Sequence, residues 1–395
     1  MPHGDAGPRV LLVVPNMDVG GAQETALTLS RHLPGAGCPV AVATFRDGPL
    51  RQEFEQAGVR VDVLPARRHS VAALPWFLAD MLRLRRSLLD ALRRHEAEVV
   101  QIQTLGTLAF LVMTLRLGVR VQLWWRIANV TFLLQDDGSQ PRWAFAVKRA
   151  AHRRLYRLGA RVVDGVIAVS DDVARAFRQE TGSRSDRIAV VLNGVDTDRY
   201  PADEDPAVRV ELGLGPQDHV MTMVGTFKEQ KGHRFLVEAV AAVAPVFPGL
   251  HVLLVGRGEL EGDIARRIDA ADLGDHVHLL GSRRDVGRIL AASDSFVLPS
   301  LWEGFSVALL EAMASRLPVI ASAVSGTTQV MTDGRTGWLV PPGDAGALAG
   351  AMKELLSDPG AAAAQAAAAR DRIEADFSAR AQADRLAALY RGGRP

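Results

Sequence analysis

Short apolar runs alternate with helix-length amphipathic stretches along almost the whole chain, and this alternation limits the fold more than any other feature. In the first half the runs are RVLLVVPN (9–16), PVAVATF (39–45), VRVDVLP (59–65), EVVQIQ (98–103), RVQLWWRIA (120–128), GVIAVS (165–170) and RIAVVLN (187–193). They are rich in Val, Ile and Leu, as buried parallel strands are. The pattern predicts parallel sheets covered by helices on both faces.

An acidic, proline-bearing stretch at residues 196–219 interrupts the alternation, and we interpret it as a linker. The pattern resumes with HVMTMVGT (219–226), HVLLVGR (251–257), HVHLLG (276–281), SFVLPS (295–300), PVIAS (318–322) and TGWLVPP (336–342). The sequence therefore predicts two doubly wound α/β domains of similar size. Their predicted ranges are 1–197 and 198–375, followed by a C-terminal helix at 376–395 that packs back on the first domain.

The composition is that of a globular protein of a reducing compartment. Hydrophobic residues make up 48% and charged residues 23% of the chain. The single cysteine, Cys38, excludes an intramolecular disulfide framework and a cysteine zinc site. The apolar run at 105–115 is shorter than the about 20 residues that a membrane span needs, and the first residues lack a secretory signal pattern. We expect a cytoplasmic protein.

The charge is divided unequally between the two halves of the chain. Residues 1–200 carry 27 Lys and Arg against 20 Asp and Glu, whereas residues 201–395 carry 19 against 25. We therefore expect the two halves to have different partners. Nucleic acid is not expected among them, because the net charge is only +1 and no nucleic-acid motif accompanies the basic residues.

Two glycine loops follow predicted strands and open predicted helices. Gly20 and Gly21 would let the backbone approach an anion at a helix start, although a tight turn without a ligand explains them equally well. The loop GRGELEG, which begins at Gly256, approximates a dinucleotide fingerprint but has one residue too many before its third glycine. The acidic residue that would have to reach a ribose, Asp275, stands at the start of its strand, so NAD binding is the weaker alternative.

The segment SLWEGFSVALLEAMASRLPVIAS holds the most specific pattern. Glu303 precedes a predicted helix and Glu311 lies within it, at a separation of about 12 Å along the helix axis. Carboxyls that act together on one glycosidic bond lie roughly 5–10 Å apart, so this pair suits two hydroxyl-rich groups at opposite ends of an extended ligand. An anion between them would meet the backbone N–H groups of the helix start. These groups belong to Gly304, Phe305, Ser306 and Val307.

Two of the few lysines, Lys228 and Lys231, follow the predicted strand at 219–226. A cation at the carboxyl end of a parallel strand lies where open α/β sheets bind ligands, and there it could balance a diphosphate. A solvated loop lysine is the alternative; it explains Lys228 equally well, whereas Lys231 fits the ligand-binding interpretation better.

Seven ordered segments resemble the retaining glycosyltransferases of family four, which have the GT-B fold. They are GGAQ (20–23), AVSDDVARAF (168–177), VVLNGVDTDRY (190–200), VGTFKEQKG (224–232), VGRGEL (255–260), EGFSVALLE (303–311) and GRTGWLVPPGD (334–344). The resemblance spans nearly the whole chain and is densest from 166 to 344. It implies two Rossmann-like domains that face each other across a cleft, with a C-terminal helical tail.

The resemblance also implies roles for individual residues. Glu311 would bind the ribose of a nucleotide-sugar donor, Glu303 its sugar and Lys231 its diphosphate. The other implied donor-binding residues are Gly20, Gly21, Thr226, Lys228, Gly256, Gly304, Phe305, Ser306 and Val307. Members of the family usually transfer without a bound metal, so neither a metal nor another cofactor is expected.

Two positions depart from the family pattern. Thr226 stands where the family usually has arginine, and Lys228 would replace that guanidinium fork by a point charge. A histidine near the donor sugar is common at the end of an N-domain strand, and the matching position in VQLWWRIAN is Arg126. Arg126 is therefore the third predicted catalytic residue, with Glu303 and Lys231.

Two basic stretches with aromatic residues lie in the N-terminal half, at 67–95 and 142–161. Their aromatic residues are Trp76, Phe77, Trp143 and Phe145. Basic helices with aromatic anchors can lie on an anionic membrane, and a lipid-linked acceptor would explain them. Ordinary surface helices with aromatic residues in the core explain them equally well.

The predicted function is transfer of a sugar, with retention, from a UDP- or GDP-sugar to a hydroxyl acceptor. The acceptor would be a glycan, a lipid-linked glycan of cell-surface polysaccharide synthesis or a small molecule, bound by the N-terminal domain. Three alternatives stay open: a GT-B sugar-nucleotide epimerase, an NAD oxidoreductase and a catalytically impaired GT-B scaffold.

Overall fold

The computed structural model describes residues 7–18, 20–64, 74–103, 119–128, 142–200 and 206–392, except for the side chains at 74–78, 81, 142 and 206. The chain forms two compact units. The N-terminal unit comprises the chain up to Asn193 together with the segment from Ala379 onwards, and the C-terminal unit is Gly194–Ser378.

The N-terminal unit is built on a parallel sheet that has seven strands in the described part of the chain, in the order β3-β2-β1-β4-β5-β6-β7. The strands are β1 (Val10–Val14), β2 (Val40–Thr44), β3 (Arg60–Val63), β4 (Val99–Ile102), β5 (Gln122–Ile127), β6 (Gly165–Ala168) and β7 (Ile188–Val190). The helices are α1 (Gly21–His32), α2 (Arg51–Gln56), α3 (Leu74–Arg94), α4 (Arg142–Val162), α5 (Asp171–Thr181) and, from the end of the chain, α14 (Ala379–Tyr390). Helix α14 packs against α1.

The C-terminal unit repeats this plan with a parallel sheet of six strands within its described residues, in the order β10-β9-β8-β11-β12-β13. The strands are β8 (His219–Val224), β9 (Leu250–Val255), β10 (Val277–Gly281), β11 (Ser295–Leu298), β12 (Val319–Ser322) and β13 (Trp338–Val340). The helices are α6 (Pro206–Glu211), α7 (His233–Val243), α8 (Glu261–Ala270), α9 (Val286–Ala291), α10 (Val307–Ala314), α11 (Ser325–Thr328), α12 (Ala345–Ser357) and α13 (Pro359–Asp376).

Helix ends follow from local sequence. Helix α5 begins after Ser170, whose hydroxyl accepts a hydrogen bond from the Val173 N–H, and it ends at Gly182 in the left-handed conformation. Helix α12 begins after Asp344, whose carboxylate accepts from the Ala347 N–H at 2.9 Å. These caps satisfy backbone groups that the helices themselves leave unpaired.

The predicted alternation is confirmed, because each of the predicted apolar runs contains one observed strand. The strands β1, β4 and β6 are buried along their whole length, as expected for sheets covered on both faces. The interpretation of 196–219 as a linker is wrong. Helix α6 lies within it, and the buried Val208 and Leu214 pack with Val220 and Leu253 in a hydrophobic cluster.

Within the described residues, no helix combines the length and the apolar character that crossing a membrane requires. Parts of the segments discussed above fall outside the described part of the chain. They are the apolar run 105–115, Arg67, Arg68 and the side chains of Trp76, Phe77 and Arg142.

Candidate active site

The strand order of the C-terminal unit places two loops side by side at the carboxyl edge of its sheet. The order runs one way from β8 to β10 and the other way from β11 to β13, so it reverses between β8 and β11. Open parallel sheets bind ligands at such a reversal, outside the carboxyl ends of the strands. The loop after β8 (225–232) and the loop after β11 (299–306) therefore flank the expected crevice.

One residue from each loop contributes to a buried ion pair. Lys231 Nζ lies 2.6 Å from Glu303 Oε1, and the two side chains are 14% and 6% exposed. Ser300 Oγ donates to the same carboxylate oxygen at 2.7 Å, and Gln230 Nε2 donates to the other oxygen at 3.4 Å. Three donors thus hold the Glu303 carboxylate in one orientation, while the Lys231 ammonium has N–H bonds to spare for a ligand.

Gly232 allows the two loops to approach each other this closely. Its φ is +69°, and a Cβ at this position would lie 2.0 Å from the carbonyl oxygen of Pro299. The Leu301 N–H donates to the Gln230 carbonyl at 2.8 Å, which ties the loops together a second time. The backbone therefore fixes the positions of the ion-paired residues before any ligand binds.

The glycine loop after β9 packs against the loop after β8. Gly256 has φ +144°, and a Cβ there would lie 2.0 Å from the Gly225 carbonyl oxygen. A Cβ on Gly258 would lie 2.4 Å from the carbonyl oxygen of the buried Phe227. Close backbone packing explains both glycines without a ligand, so donor binding by Gly256 stays a prediction.

The side chains of Thr226 and Lys228 are exposed on either side of the buried Phe227. The Lys228 N–H donates to the Thr226 carbonyl at 2.8 Å, which tightens the turn between them. Both side chains are therefore accessible at the surface of the loop. Their contact with a donor stays a prediction.

Helix α10 presents Glu311 from its buried face. The helix is capped by Ser306, whose hydroxyl accepts from the Leu309 N–H at 3.4 Å. Glu311 is 9% exposed, and its Oε1 accepts a hydrogen bond from Tyr200 Oη at 2.7 Å. Tyr200 is itself buried. Tyr200 ends the segment VVLNGVDTDRY, but nothing in the sequence links it to Glu311, so it is not among the predicted site residues.

Packing fixes the turn that leads into α10. A Cβ on Gly326 would lie 2.7 Å from the Gly304 carbonyl oxygen, so this contact also requires glycine. The buried Phe305 ring lies 6.0 Å, centroid to centroid, from the Phe377 ring. The first N–H groups of the helix are thereby held in place for an anion.

His233, the first residue of α7, was not singled out from the sequence. It is 2% exposed, its ring lies 4.6 Å from the Phe227 ring centroid, and neither ring nitrogen has a hydrogen-bond partner in the described part of the chain. Burial, followed by the charge of Lys231, lowers the pKa of His233 to about 4. The ring is therefore neutral at pH 7.

The strand order of the N-terminal unit reverses between β1 and β4. Gly20 and Gly21 follow β1 at this point, where Gly20 is the residue before α1 and its carbonyl accepts from the Glu24 N–H at 2.9 Å. Apart from its chain neighbours and its own helix backbone, no heavy atom of the described residues would lie within 4 Å of a Cβ on Gly21. The loop also contains Asn16, whose side-chain oxygen accepts from Gln23 Nε2 at 2.5 Å.

Arg126 lies near the end of β5 and is only 5% exposed. Its Nη2 donates to the side-chain oxygen of Asn193 in a short hydrogen bond. Burial lowers the pKa of Arg126 to about 10. The phenol of Tyr390, on α14, is close enough to interact electrostatically with this guanidinium. Its hydroxyl donates to Gln101 Oε1 on β4.

The predicted site residues thus fall into two sets. Those of the C-terminal unit lie on three loops and on α10, and the N-terminal set comprises Gly20, Gly21 and Arg126. Among the residues that the structure describes, no group of three or more His, Cys, Asp or Glu side chains is arranged to hold a metal ion.

Two family models match the chain, one in each unit. The model of the Glycosyl transferase 4-like domain matches residues 20–194, and the model of Glycosyl transferases group 1 matches residues 218–358. The chain belongs to the glycosyl transferases group 1 family. The predicted family and the predicted enzyme class, a glycosyltransferase, are confirmed.

Two relatives of this glycosyltransferase are bacterial enzymes. The lipopolysaccharide core biosynthesis mannosyltransferase LpsB of Rhizobium meliloti is 30% identical over 210 residues, which cover 51% of this chain and 60% of that protein. The UDP-Gal:alpha-D-GlcNAc-diphosphoundecaprenol alpha-1,3-galactosyltransferase of Escherichia coli is 26% identical over 350 residues, which cover 86% of each chain.

A solved structure shares the fold of this glycosyltransferase over nearly its whole length. Anabaena Alr3699/HepE, in complex with UDP and glucose, aligns with a TM-score of 0.80 at 22% identity, covering 97% of this chain and 99% of that one. The predicted GT-B fold is confirmed. The roles of individual site residues are not tested by these similarities and stay predictions.

Proposed function

We propose that this glycosyltransferase moves a sugar from a UDP- or GDP-sugar to a hydroxyl acceptor with retention at the anomeric carbon. The observation that carries the proposal is the buried pair of Lys231 and Glu303 at the strand reversal of the C-terminal unit. The structural neighbour HepE supports it, because that protein is found in complex with UDP and glucose.

The donor would extend along the start of α10. Glu311, held by Tyr200, would accept hydrogen bonds from the ribose hydroxyls, and Glu303 would accept them from the sugar. The diphosphate would lie between them at the helix N-terminus. This arrangement places the only charged part of the donor against N–H groups and a lysine, and its hydroxyl-rich ends against carboxylates.

Charge stabilisation of the departing diphosphate would come from Lys231, with Lys228 at the surface of the same loop. The Lys231 ammonium can keep its contact with Glu303 and donate to a phosphate oxygen as well, since it has three N–H bonds. Together with the first turn of α10 it would take the place of a metal ion. We therefore propose a metal-independent reaction.

The acceptor is proposed to be a glycan or lipid-linked glycan of cell-surface polysaccharide synthesis, received by the N-terminal unit. Both relatives described above support this class by their names, one for lipopolysaccharide core and one for a diphosphoundecaprenol-linked sugar. Gly20, Gly21 and Arg126 stand at the carboxyl edge of that unit's sheet, where a substrate is expected.

The transfer reaction is tested by replacing Glu303 with glutamine and measuring product from UDP- and GDP-sugars with glycan and lipid-linked acceptors. Glu303→Gln should lower kcat/KM by about 10²–10³, because the carboxylate contacts the reacting sugar. Glu211→Gln is the control, since it breaks an exposed ion pair with Arg283 in the same unit. Equal turnover of Glu303→Gln and the unaltered protein would contradict the assignment.

The same assay separates the alternatives. An epimerase forms product from the donor without an acceptor, and an impaired scaffold binds nucleotide without turnover. The anomeric configuration of the transferred sugar, read from its NMR coupling constant, tests retention: an inverted product would contradict it.

We further propose that the enzyme works in the cytoplasm at the inner face of an anionic membrane, which it contacts through α4. Trp143, Val147 and Leu158 are 73%, 64% and 47% exposed. With Arg154 and Arg161 they recur at helical spacing, so they share one outward stripe. Neither arginine takes part in an ion pair among the described residues. Apolar side chains flanked by free cations suit an anionic bilayer surface.

Co-sedimentation with vesicles tests this contact. The protein should pellet with phosphatidylglycerol vesicles and not with phosphatidylcholine vesicles, and Val147→Ser should weaken the pelleting. Val246→Ser is the matched control, because Val246 is 63% exposed in the other unit. Equal effects of the two substitutions, or no pelleting of the unaltered protein, would contradict a role for α4.

A further inference from the structure

Along β4 and β5, three buried N–H donors have no hydrogen-bond partner among the residues that the structure describes. They are Gln101 Nε2, Gln103 Nε2 and Arg126 Nε. The three side chains are 0%, 9% and 5% exposed, so water at the protein surface does not satisfy them. Buried donors are rarely left unpaired, because each loses its hydrogen bonds to water. Their concentration in one place therefore requires an explanation.

Strand register brings these donors together. Gln101 on β4 pairs with Trp124 on β5. Gln103 and Arg126 each lie two residues farther along, so both point to the same face of the sheet as that pair. Tyr390 contacts the cluster, because its hydroxyl donates a hydrogen bond to Gln101 Oε1.

Arg126 has no counter-charge in the described part of the chain. Its hydrogen-bond partner is Asn193, whose side chain is neutral, and no carboxylate forms an ion pair with it. A buried guanidinium without a counter-ion is costly to fold around. Such a guanidinium therefore has either a structural role within the fold or a bound anion that balances its charge.

The cluster lies at the edge of the sheet where ligands bind in folds of this kind. Burial is complete at Gln101 and less complete at Gln103, at the carboxyl end of β4. The strand order reverses between β1 and β4, so the cluster stands beside the loop with Gly20 and Gly21. This is the ligand edge of an open parallel sheet.

We propose that Gln103 and Arg126, with Gln101 behind them, form a binding site for an oxyanion of the acceptor, a phosphate or a carboxylate. The proposal rests on the proposed glycosyl transfer and adds the chemical class of the acceptor. A phosphate or carboxylate supplies both the negative charge that Arg126 lacks and the oxygens that the three donors lack. An acceptor that carries such an anionic group would also be distinguished from a neutral sugar by this site.

The test measures binding of inorganic phosphate to a protein whose donor site has been impaired by Lys231→Met. In Lys231→Met protein, phosphate should still raise the unfolding temperature, and adding Arg126→Met should weaken phosphate binding at least about tenfold. Equal phosphate binding with and without Arg126 would overturn the proposal, and would mean that the cluster holds internal water only.

Stability provides the second readout. Arg126→Met removes an uncompensated buried charge, so the urea midpoint should rise while phosphate binding falls. A purely structural arginine would give the opposite change in midpoint.

If Arg126→Met does not fold, Gln103→Leu replaces it, with Gln122→Leu as the matched control. Gln122 lies at the other end of β5, and its side chain already bonds to the Tyr390 carbonyl and the Trp124 indole. Only Gln103→Leu should weaken phosphate binding.

The acceptor itself is distinguished by competition. In the transfer assay, inorganic phosphate should inhibit competitively against an acceptor that carries a phosphate or carboxylate, and Arg126→Met should raise the KM for that acceptor. An unchanged acceptor KM would overturn the role assigned to Arg126. Phosphate binding through Arg126 without any sugar transfer would contradict the proposed function and leave the site standing.

Discussion

Replacing Gly232 by alanine should damage both the stability and the donor site of this enzyme. Gly232 has φ +69°, and the left-handed conformation costs a residue with a Cβ about 1–2 kcal/mol. In addition, that Cβ would lie 2.0 Å from the Pro299 carbonyl oxygen, well inside van der Waals contact. Relieving such an overlap by moving backbone costs about 1–3 kcal/mol more. We expect a total loss of about 2–5 kcal/mol in the free energy of unfolding.

Gly334 provides a matched control for this prediction. Its φ is +68°, but, apart from its chain neighbours, no heavy atom of the described residues lies within 4 Å of a Cβ built on it. Gly334→Ala should therefore lose only the conformational part, about 1–2 kcal/mol. Urea denaturation of the two variants measures the difference, which isolates the contact between the loops.

The functional consequence should follow the same pattern. The overlap pushes apart the loops that carry Lys231 and Glu303, so Gly232→Ala should weaken nucleoside diphosphate binding and Gly334→Ala should not. Titration calorimetry measures both affinities. Equal losses of stability and equal affinities in the two variants would refute the reasoning, because the contact between the loops would then carry no energy.

Two further predictions concern buried side chains of the C-terminal unit. Tyr200→Phe removes a hydrogen bond to the Glu311 carboxylate, so the free energy of unfolding should fall by about 1–3 kcal/mol and nucleoside diphosphate binding should weaken. Urea denaturation measures the first effect and titration calorimetry the second. Unchanged values in both experiments would contradict the prediction. His233 has a folded pKa of about 4, below its ordinary value of 6.5, so the unfolded chain binds the extra proton between these values. Its contribution to stability is full above pH 6.5 and is lost as pH falls towards 4, at up to about 1.4 kcal/mol per pH unit. His233→Leu should remove that slope from the pH dependence of unfolding, and an identical slope in both proteins would contradict it.

The strands could be predicted because the pattern of apolar residues along the chain reflects which side chains are buried. Strands of a parallel sheet that is covered on both faces, such as β1 and β4, are mostly apolar along their length. The runs VLLVV and VVQI show this directly in the sequence. The residues 196–219 failed the same test, because charged residues and glycines interrupt the apolar positions around the buried Val208 and Leu214, so no continuous apolar run forms. Several of their partners, such as Leu253 and Ile289, are distant in sequence, so the local pattern does not reveal the packing.

Only part of the candidate site could be predicted, because its contacts join residues that are distant in sequence. Glu303 and Lys231 lie in recognisable segments, but their ion pair depends on a strand order that brings residues 72 positions apart into contact. Tyr200 lies 111 positions from Glu311, and its hydrogen bond follows from tertiary packing alone. The donors left unpaired around Arg126 are likewise a property of the folded chain.

The most direct test of the central claim is a thermal-shift screen of the protein against UDP, GDP, ADP and NAD, repeated on Lys231→Met. A ligand at 100 times its dissociation constant stabilises a fold by about 2.7 kcal/mol, which shifts the unfolding temperature measurably. The proposed function predicts a selective rise with UDP or GDP that Lys231→Met abolishes. A rise with NAD alone, or a rise with UDP or GDP that persists in Lys231→Met, would contradict the donor site described above.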